Sequence, residues 1–178
     1  MSDRPVDRRL PRVGLGWDVH RLSRRAGKPL VLAGVPIDDR RGSARGPLAH
    51  SDGDVLIHAL IDALLGAAAL PDIGRQFPPD DPQYRGIASR VLLQRALDLV
   101  NRAGFRPANV DCTVLLQAPR LAPHMPHLRA NLAADLGLPE ERVSVKAKTT
   151  EGLGAVGRGR AVEAWAVALL EPLPSDDA

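Results

Sequence analysis

The chain has 178 residues, 44% hydrophobic and 25% charged; this describes one folded domain and excludes an intrinsically disordered chain. Two Phe, one Tyr and two Trp are too few for a base-stacking nucleic-acid platform. The net charge of +3 gathers in residues 1–12 and 21–45, which indicates a basic loop and argues against a chain-wide polyanion-binding surface.

Residues 1–11, rich in Arg, Asp and Pro, read as a flexible N-terminal arm. Residues 12–20 alternate: Val13, Leu15, Trp17 and Val19 fall on one side, and Gly14, Gly16, Asp18 and His20 on the other. That pattern predicts a half-buried strand. Residues 30–37 predict a short strand and a turn, and 38–47 a polar loop. From Ser51 to Leu70 the residues predict a helix, with Ser and Asp at its start and Pro71 beyond its end. Asp54, His58 and Asp62 recur every four positions and share one face of it.

Residues 75–86 carry three prolines and read as a loop. A second helix is predicted over 88–103, ended by Gly104. A strand follows over 110–118, with Val110, Cys112, Val114 and Leu116 on one face, then a proline-punctuated loop and a helix closed by Gly137 and Pro139. Residues 143–149 predict a strand. A glycine-rich turn leads into 160–170, whose own pattern suits helix or strand equally. Residues 172–178 read as a frayed tail, leaving 12–171 as the domain. Strands alternating with helices mean an α/β fold.

The single cysteine, Cys112, excludes an internal disulfide and a cysteine-rich metal site, and fits a reducing cytoplasm. The apolar runs at 63–70 and 164–170 are too short to span a bilayer, and no apolar stretch of a secretory signal follows the N-terminal charges. Neither membrane nor nucleic acid is an expected partner. Gly152, Gly154 and Gly157 match a dinucleotide fingerprint, but only 21 residues follow. A dinucleotide fold needs a helix, a strand and an acidic residue in that space, so a tight turn is the better reading.

Asp18 and His20, two apart on a strand, can reach one ion together. With His58 from the helix they make a three-ligand nitrogen–oxygen set that leaves a tetrahedral zinc ion one open position. The alternative is that Asp18 caps a turn and both histidines are satisfied by backbone groups. His50, Ser51, Asp52 and Gly53 stand at the mouth of the helix, where amide groups attract anions; Ser51 and Asp52 could equally be plain N-caps. Lys146, Lys148, Thr149, Thr150 and Glu151 crowd a strand end. They suit phosphate and a divalent cation, or simply a solvated surface.

Taken in order, D-V-H at 18–20, A-H-S-D-G-D-V at 49–55, D-I-G at 72–74, F-P-P-D-D-P at 77–82, Q-A-P-R-L at 117–121, K-A-K-T-T-E-G-L-G at 146–154 and G-R-G at 157–159 closely resemble the 2-C-methyl-D-erythritol 2,4-cyclodiphosphate synthases of the non-mevalonate isoprenoid pathway. The resemblance implies a homotrimer of ferredoxin-like α/β subunits, with a site at each subunit interface. It implies a lyase that cyclises 4-diphosphocytidyl-2-C-methyl-D-erythritol 2-phosphate and releases CMP. Asp18, His20 and His58 match the zinc ligands, and Glu151 the residue that helps hold Mg²⁺ or Mn²⁺ on the diphosphate. His50 and Thr149 match the residues that stabilise the transition state. Ser51, Asp72, Ile73 and Gly74 match the methylerythritol and phosphate contacts. Leu116, Gln117, Ala118, Pro119, Arg120, Leu121 and Ala122, with Ala147, Lys148 and Thr149, match the cytidine pocket. Val19, Phe77, Thr150 and Arg158 complete the expected substrate contacts.

The sequence departs from the family pattern at Pro79, Lys148, Ala155 and Arg160. The family places positions 155 and 160 near a threefold-axis cavity that takes an isoprenoid diphosphate. With Arg158 and Arg160 on one strand face, another anion is an alternative guest there. The rival readings are a zinc-dependent phosphoesterase and a basic nucleic-acid-binding domain.

Overall fold

The computed structural model describes residues 10–23, 28–37, 45–49 and 51–174. The chain runs β1 (Arg12–Arg21), a hairpin of β2 (Leu30–Leu32) and β3 (Val35–Ile37), α1 (Val55–Ala67), the single turn α2 (Ile73–Gln76), α3 (Ser89–Arg102), β4 (Phe105–Leu115), α4 (Met125–Leu136), β5 (Val143–Lys148), the single turn α5 (Gly154–Gly157) and β6 (Ala161–Pro172). The main sheet has the order β1-β6-β4-β5. β6 is antiparallel to both β1 and β4, and β4 and β5 are parallel, joined through α4. Parallel neighbours need such a crossover.

The α/β class is as expected, but the main-sheet order of elements is β-α-β-α-β-β, not the β-α-β-β-α-β of a ferredoxin-like fold. The last strand returns into the middle of the sheet, where its register with two partners settles the helix-or-strand ambiguity of 160–170 in favour of a strand.

β1 alternates as predicted, but the covered side is the glycine side. Gly14 and Gly16 are buried, while Val13, Leu15, Trp17 and Val19 are exposed. The reason is α1. A Cβ on Gly16 would lie 1.9 Å from the carbonyl oxygen of Ala59, and one on Gly14 would lie 2.0 Å from that of Ala63. Small residues on both elements let their backbones meet, and Ala164, Ala166 and Ala168 of β6 extend this floor. Apart from the stripe of His58, Asp62 and Gly66, α1 is apolar, because the sheet lies below it and α3 above it. Val55, Leu56, Ile57, Leu60, Ile61, Leu64 and Leu65 are all fully buried, each contributing about 1.5–3 kcal/mol.

α1 starts at Val55, later than Ser51, and its N-cap is Asp54, whose carboxylate accepts the N–H of Ile57 at 3.1 Å. β4 begins at Phe105, five residues before the predicted strand. The stretch 75–86 is not all loop: it carries the end of α2 and a 3-10 turn at Pro82–Tyr84. Gly137 closes α4 in the left-handed conformation, φ 64°. Cys112 is a fully buried core residue, its thiol pushed up to about 12 by burial.

The opposite face of the sheet carries no helix among the described residues. Trp17 and Trp165 face each other there, and both indole N–H groups donate to Glu163 Oε1, at 2.7 and 2.8 Å.

Candidate metal centre and adjoining cavities

Asp18 and His20 extend the glycine side of β1, so they project over the N-terminal half of α1, where His58 stands one turn after the cap. Nε2 of His20 lies 3.0 Å from Oδ2 of Asp18. Nδ1 of His58 lies 3.1 Å from that oxygen and 3.0 Å from Nε2 of His20. Ligand atoms about 2.0–2.1 Å from a tetrahedral ion stand about 3.3 Å from one another, so this triangle has the size of a zinc ligand set. Among the described residues it is the one cluster of three such side chains. Burial raises the Asp18 carboxyl pKa, but hydrogen bonds and charge from His20 and His58 outweigh it and hold the group well below the usual carboxylate range. The second Asp18 oxygen accepts the N–H of Val19 at 2.8 Å. The turn-capping alternative for Asp18 and backbone-satisfied histidines does not describe this arrangement.

The cluster opens on a cavity of about 290 Å³ lined by His20, His58, Ser51, Ile73, Gly74 and Phe77, with Leu48, Pro79 and Tyr84. Ser51, Ile73, Gly74 and Phe77 are four of the expected substrate contacts. The Asp72-Ile73-Gly74 turn is tied to α1 by Asp62, whose carboxylate accepts the N–H of Ile73 at 2.8 Å; burial raises the Asp62 pKa. Asp72 caps α2. Asp54, on the same face of α1 as His58 and Asp62, is fully buried and serves the hairpin, accepting the N–H of Gly34 at 2.8 Å. Burial pushes its carboxyl up to about 6 against its amide hydrogen bonds.

A second cavity, about 510 Å³, lies between the end of β4 and β5. Its lining includes Leu116, Gln117, Pro119, Arg120, Leu121 and Ala122 on one side and Val145 to Thr149 on the other. Ala118 sits among these residues without lining the cavity. The buried Oε1 of Gln117 has no hydrogen-bond partner. Just beyond, Thr149 Oγ1 donates to Glu151 Oε1 at 2.7 Å, and Thr150 Oγ1 donates to the carbonyl of Leu153 at 2.7 Å. Glu151 takes a left-handed backbone, φ 51°.

The two cavities do not meet within one chain. Val19, Glu163, Leu115 and Lys148 stand in one row across the sheet, so Val19 and Lys148 are three strand spacings apart, about 14 Å. The structure therefore groups Asp18, His20, Ser51, His58, Ile73, Gly74 and Phe77 at one sheet edge, and the cytidine-pocket residues with Thr149, Thr150 and Glu151 at the other. His50 lies outside the described residues. Arg158 caps the C-terminal end of α5 and Arg160 precedes β6, so they do not share a strand face as expected. The glycine-rich segment is a tight turn: a Cβ on Gly157 would meet the backbone of Gly152 at 2.1 Å.

Three side chains around the cluster have roles that local sequence pattern does not give. Ser89, from the start of α3, has its Oγ 2.9 Å from Nε2 of His58. Asp52, expected as a cap of α1, instead accepts the N–H of Ser89, the first residue of α3, at 2.9 Å. Lys28, counted within the basic loop, donates to the carbonyls of Ala49 and Ser51 and so braces that segment. Only Asp52 lies within a quoted motif; its partner is 37 residues away.

Residues 11–171 match the YgbB family. The chain belongs to that family. It is 56% identical over 159 residues to the 2-C-methyl-D-erythritol 2,4-cyclodiphosphate synthase of Burkholderia lata, covering 89% of this chain and 95% of that one. It is 56% identical over 160 residues to the enzyme of the same name from Thioalkalivibrio sulfidiphilus, covering 90% and 96%. Among solved structures, the bifunctional IspDF of Campylobacter jejuni superposes with a TM-score of 0.85 at 40% identity, over 92% of this chain and 43% of that longer one. A CDP complex of IspF from Plasmodium falciparum superposes with a TM-score of 0.78 at 33% identity, over 93% and 99%. No helix among the described residues is long and apolar enough to cross a membrane.

Proposed function

We infer that this chain is a 2-C-methyl-D-erythritol 2,4-cyclodiphosphate synthase. The observation that carries the reading is the Asp18–His20–His58 triangle, opening on a cavity lined by Ser51 and Gly74, in a chain of this family. In 4-diphosphocytidyl-2-C-methyl-D-erythritol 2-phosphate, an oxygen of the 2-phosphate attacks the β-phosphorus. A new phosphorus–oxygen bond closes the ring, the α–β bridge breaks, and CMP leaves with the electron pair. Both reacting groups are anions, so the task is to cancel charge and hold them in line. Asp18, His20 and His58 would hold a zinc ion, which would supply positive charge at the phosphates. Ser51 and the backbone of Asp72, Ile73 and Gly74 hold the methylerythritol end, with Val19 and Phe77 beside it. Residues 116–122 and 147–149 take the cytidine. The unpartnered Gln117 Oε1 suits an amino donor. His50 and Thr149 stabilise the developing charge, Glu151 would hold Mg²⁺ or Mn²⁺, which would neutralise diphosphate charge, and Thr150 and Arg158 complete the contacts. The catalytic domain is 12–171, extended by Pro172 at the end of β6, and a cytoplasmic location goes with this reading. The deciding assay is CMP release from the named substrate, abolished by a chelator and restored by metal. Release of inorganic phosphate without CMP would overturn the assignment.

The working unit is a homotrimer. One copy leaves Val13, Leu15, Trp17 and Val19 exposed beside Trp165 and Val167, an apolar face of the kind that marks an interface. One copy also keeps its two cavities at opposite edges of the sheet, β1 and β5 being about 14 Å apart. A neighbour that covers the face and brings its own 145–151 edge to Asp18 answers both. Light scattering is expected to give about three times the 19.1 kDa chain mass, and a fully active monomer would refute it.

Glu151→Gln is expected to raise the Mg²⁺ concentration needed for half-maximal activity while leaving bound zinc unchanged. Thr149→Val is expected to lower kcat about 10²-fold with little change in KM, because a donor aimed at developing charge matters most in the transition state. Wild-type turnover in either variant removes that residue from the mechanism.

A further inference from the structure

Ser89 is fully buried, and its hydroxyl has one proton to give. Oδ1 of Asp52 touches that hydroxyl. A carboxylate only accepts, so Ser89 is the donor in this contact. The carboxylate is itself fixed: Oδ2 accepts the N–H of Ser89 at 2.9 Å, and Oδ1 accepts the N–H of Asp54 at 3.2 Å. With its proton committed, Ser89 Oγ can only accept from Nε2 of His58, 2.9 Å away. Ser51 Oγ also faces that nitrogen, more distantly at 3.4 Å.

A neutral imidazole carries one proton. If Nε2 holds it, the lone pair is on Nδ1, the atom that faces Asp18 and His20. The triangle then contains at most one proton, on His20 Nε2, for three close contacts between acceptors. One contact must set lone pair against lone pair, and a cation at the centre relieves it. We propose that Ser89, anchored by Asp52, is a positioning residue that sets the tautomer of His58 and so makes Nδ1 the metal-binding atom. This rests on reading the triangle as a metal site, which makes Asp52, Ser89 and His58 its carboxylate–hydroxyl–imidazole support.

Asp52→Ala removes the acceptor that commits the serine proton, so Ser89 Oγ is free to donate to Nε2 of His58 and the ring proton is free to move to Nδ1. Ser89→Ala removes the acceptor that holds the proton on Nε2. The test is long-range ¹H–¹⁵N NMR of the zinc-stripped full chain at alkaline pH, together with zinc titration against a competing chelator. Wild type is expected to show His58 protonated at Nε2, and Asp52→Ala and Ser89→Ala a mixture of the two tautomers. Zinc affinity should fall roughly 10–100-fold in both variants. A wild-type spectrum with the proton on Nδ1 overturns the proposal, and this measurement needs no variant to fold. Zinc affinities within twofold of wild type in folded variants also overturn it. A wild type that binds no zinc would instead sink the metal reading, while the tautomer spectrum still decides which way the hydrogen bond runs.

Discussion

His58→Ala is expected to lose stoichiometric zinc and CMP release together. Zinc sites of a few ligands bind with about 10–16 kcal/mol in all, so each ligand accounts for roughly 3–4 kcal/mol, a factor of about 10²–10³ in affinity. The remaining pair, Asp18 and His20, holds two corners of a triangle whose third side is empty, and neither can move: both sit in the β1 ladder against β6. The fold should survive, because the His58 side chain faces the cavity and contributes little to the packing of α1 on the sheet. Elemental analysis is expected to find about one zinc per wild-type chain and under a tenth of that in the variant, with a similar melting midpoint. One zinc per chain in the variant would remove His58 from the ligand set.

Gly16→Ala is expected to be the most destabilising single methyl in the chain. The added carbon would sit 1.9 Å from the Ala59 carbonyl oxygen and 2.6 Å from the Ala63 nitrogen. Both are backbone atoms of residues that are themselves fully buried, with no flexible side chain to give way. α1 must lift from the sheet, opening the floor made by Gly14, Ala164, Ala166 and Ala168. Overpacking of this kind costs about 3 kcal/mol or more, roughly 6–12 °C in melting midpoint for a chain of this size. Lifting α1 also moves His58 away from Asp18 and His20, so zinc affinity should fall in the same variant. Gly66→Ala is the control. It lies on the same helix, exposed, with nothing within 4 Å of an added carbon, and should be neutral or stabilising by about 0.5–1 kcal/mol. Equal midpoints for Gly16→Ala and wild type would mean that α1 does not rest on the β1 backbone.

The parts of the candidate metal set were legible in the sequence because each part is local, while their meeting across strand and helix is tertiary. Two residues apart on a strand share a face, and four apart on a helix share a stripe, so Asp18 with His20, and His58 with Asp54 and Asp62, follow from periodicity alone. The resemblance to the synthases supplied the expected partners of those residues, and the α/β class followed from the alternation of patterns. The rest was decided by contacts between distant segments. Alternation along β1 divides its residues into two faces but cannot say which is covered. That depends on α1 needing a floor without side chains, which leaves Trp17 and its apolar neighbours outside. The segment 160–170 has no preference of its own and is a strand because β1 and β4 each offer it a ladder. Asp52 reads as a cap for the helix next to it, yet its carboxylate serves Ser89, 37 residues on, at the mouth of another helix. The sequence contains both cavities' residues in order, but the insertion of β6 between β1 and β4 sets them at opposite edges of the sheet. Local periodicity records which side chains travel together; only tertiary packing determines what they face.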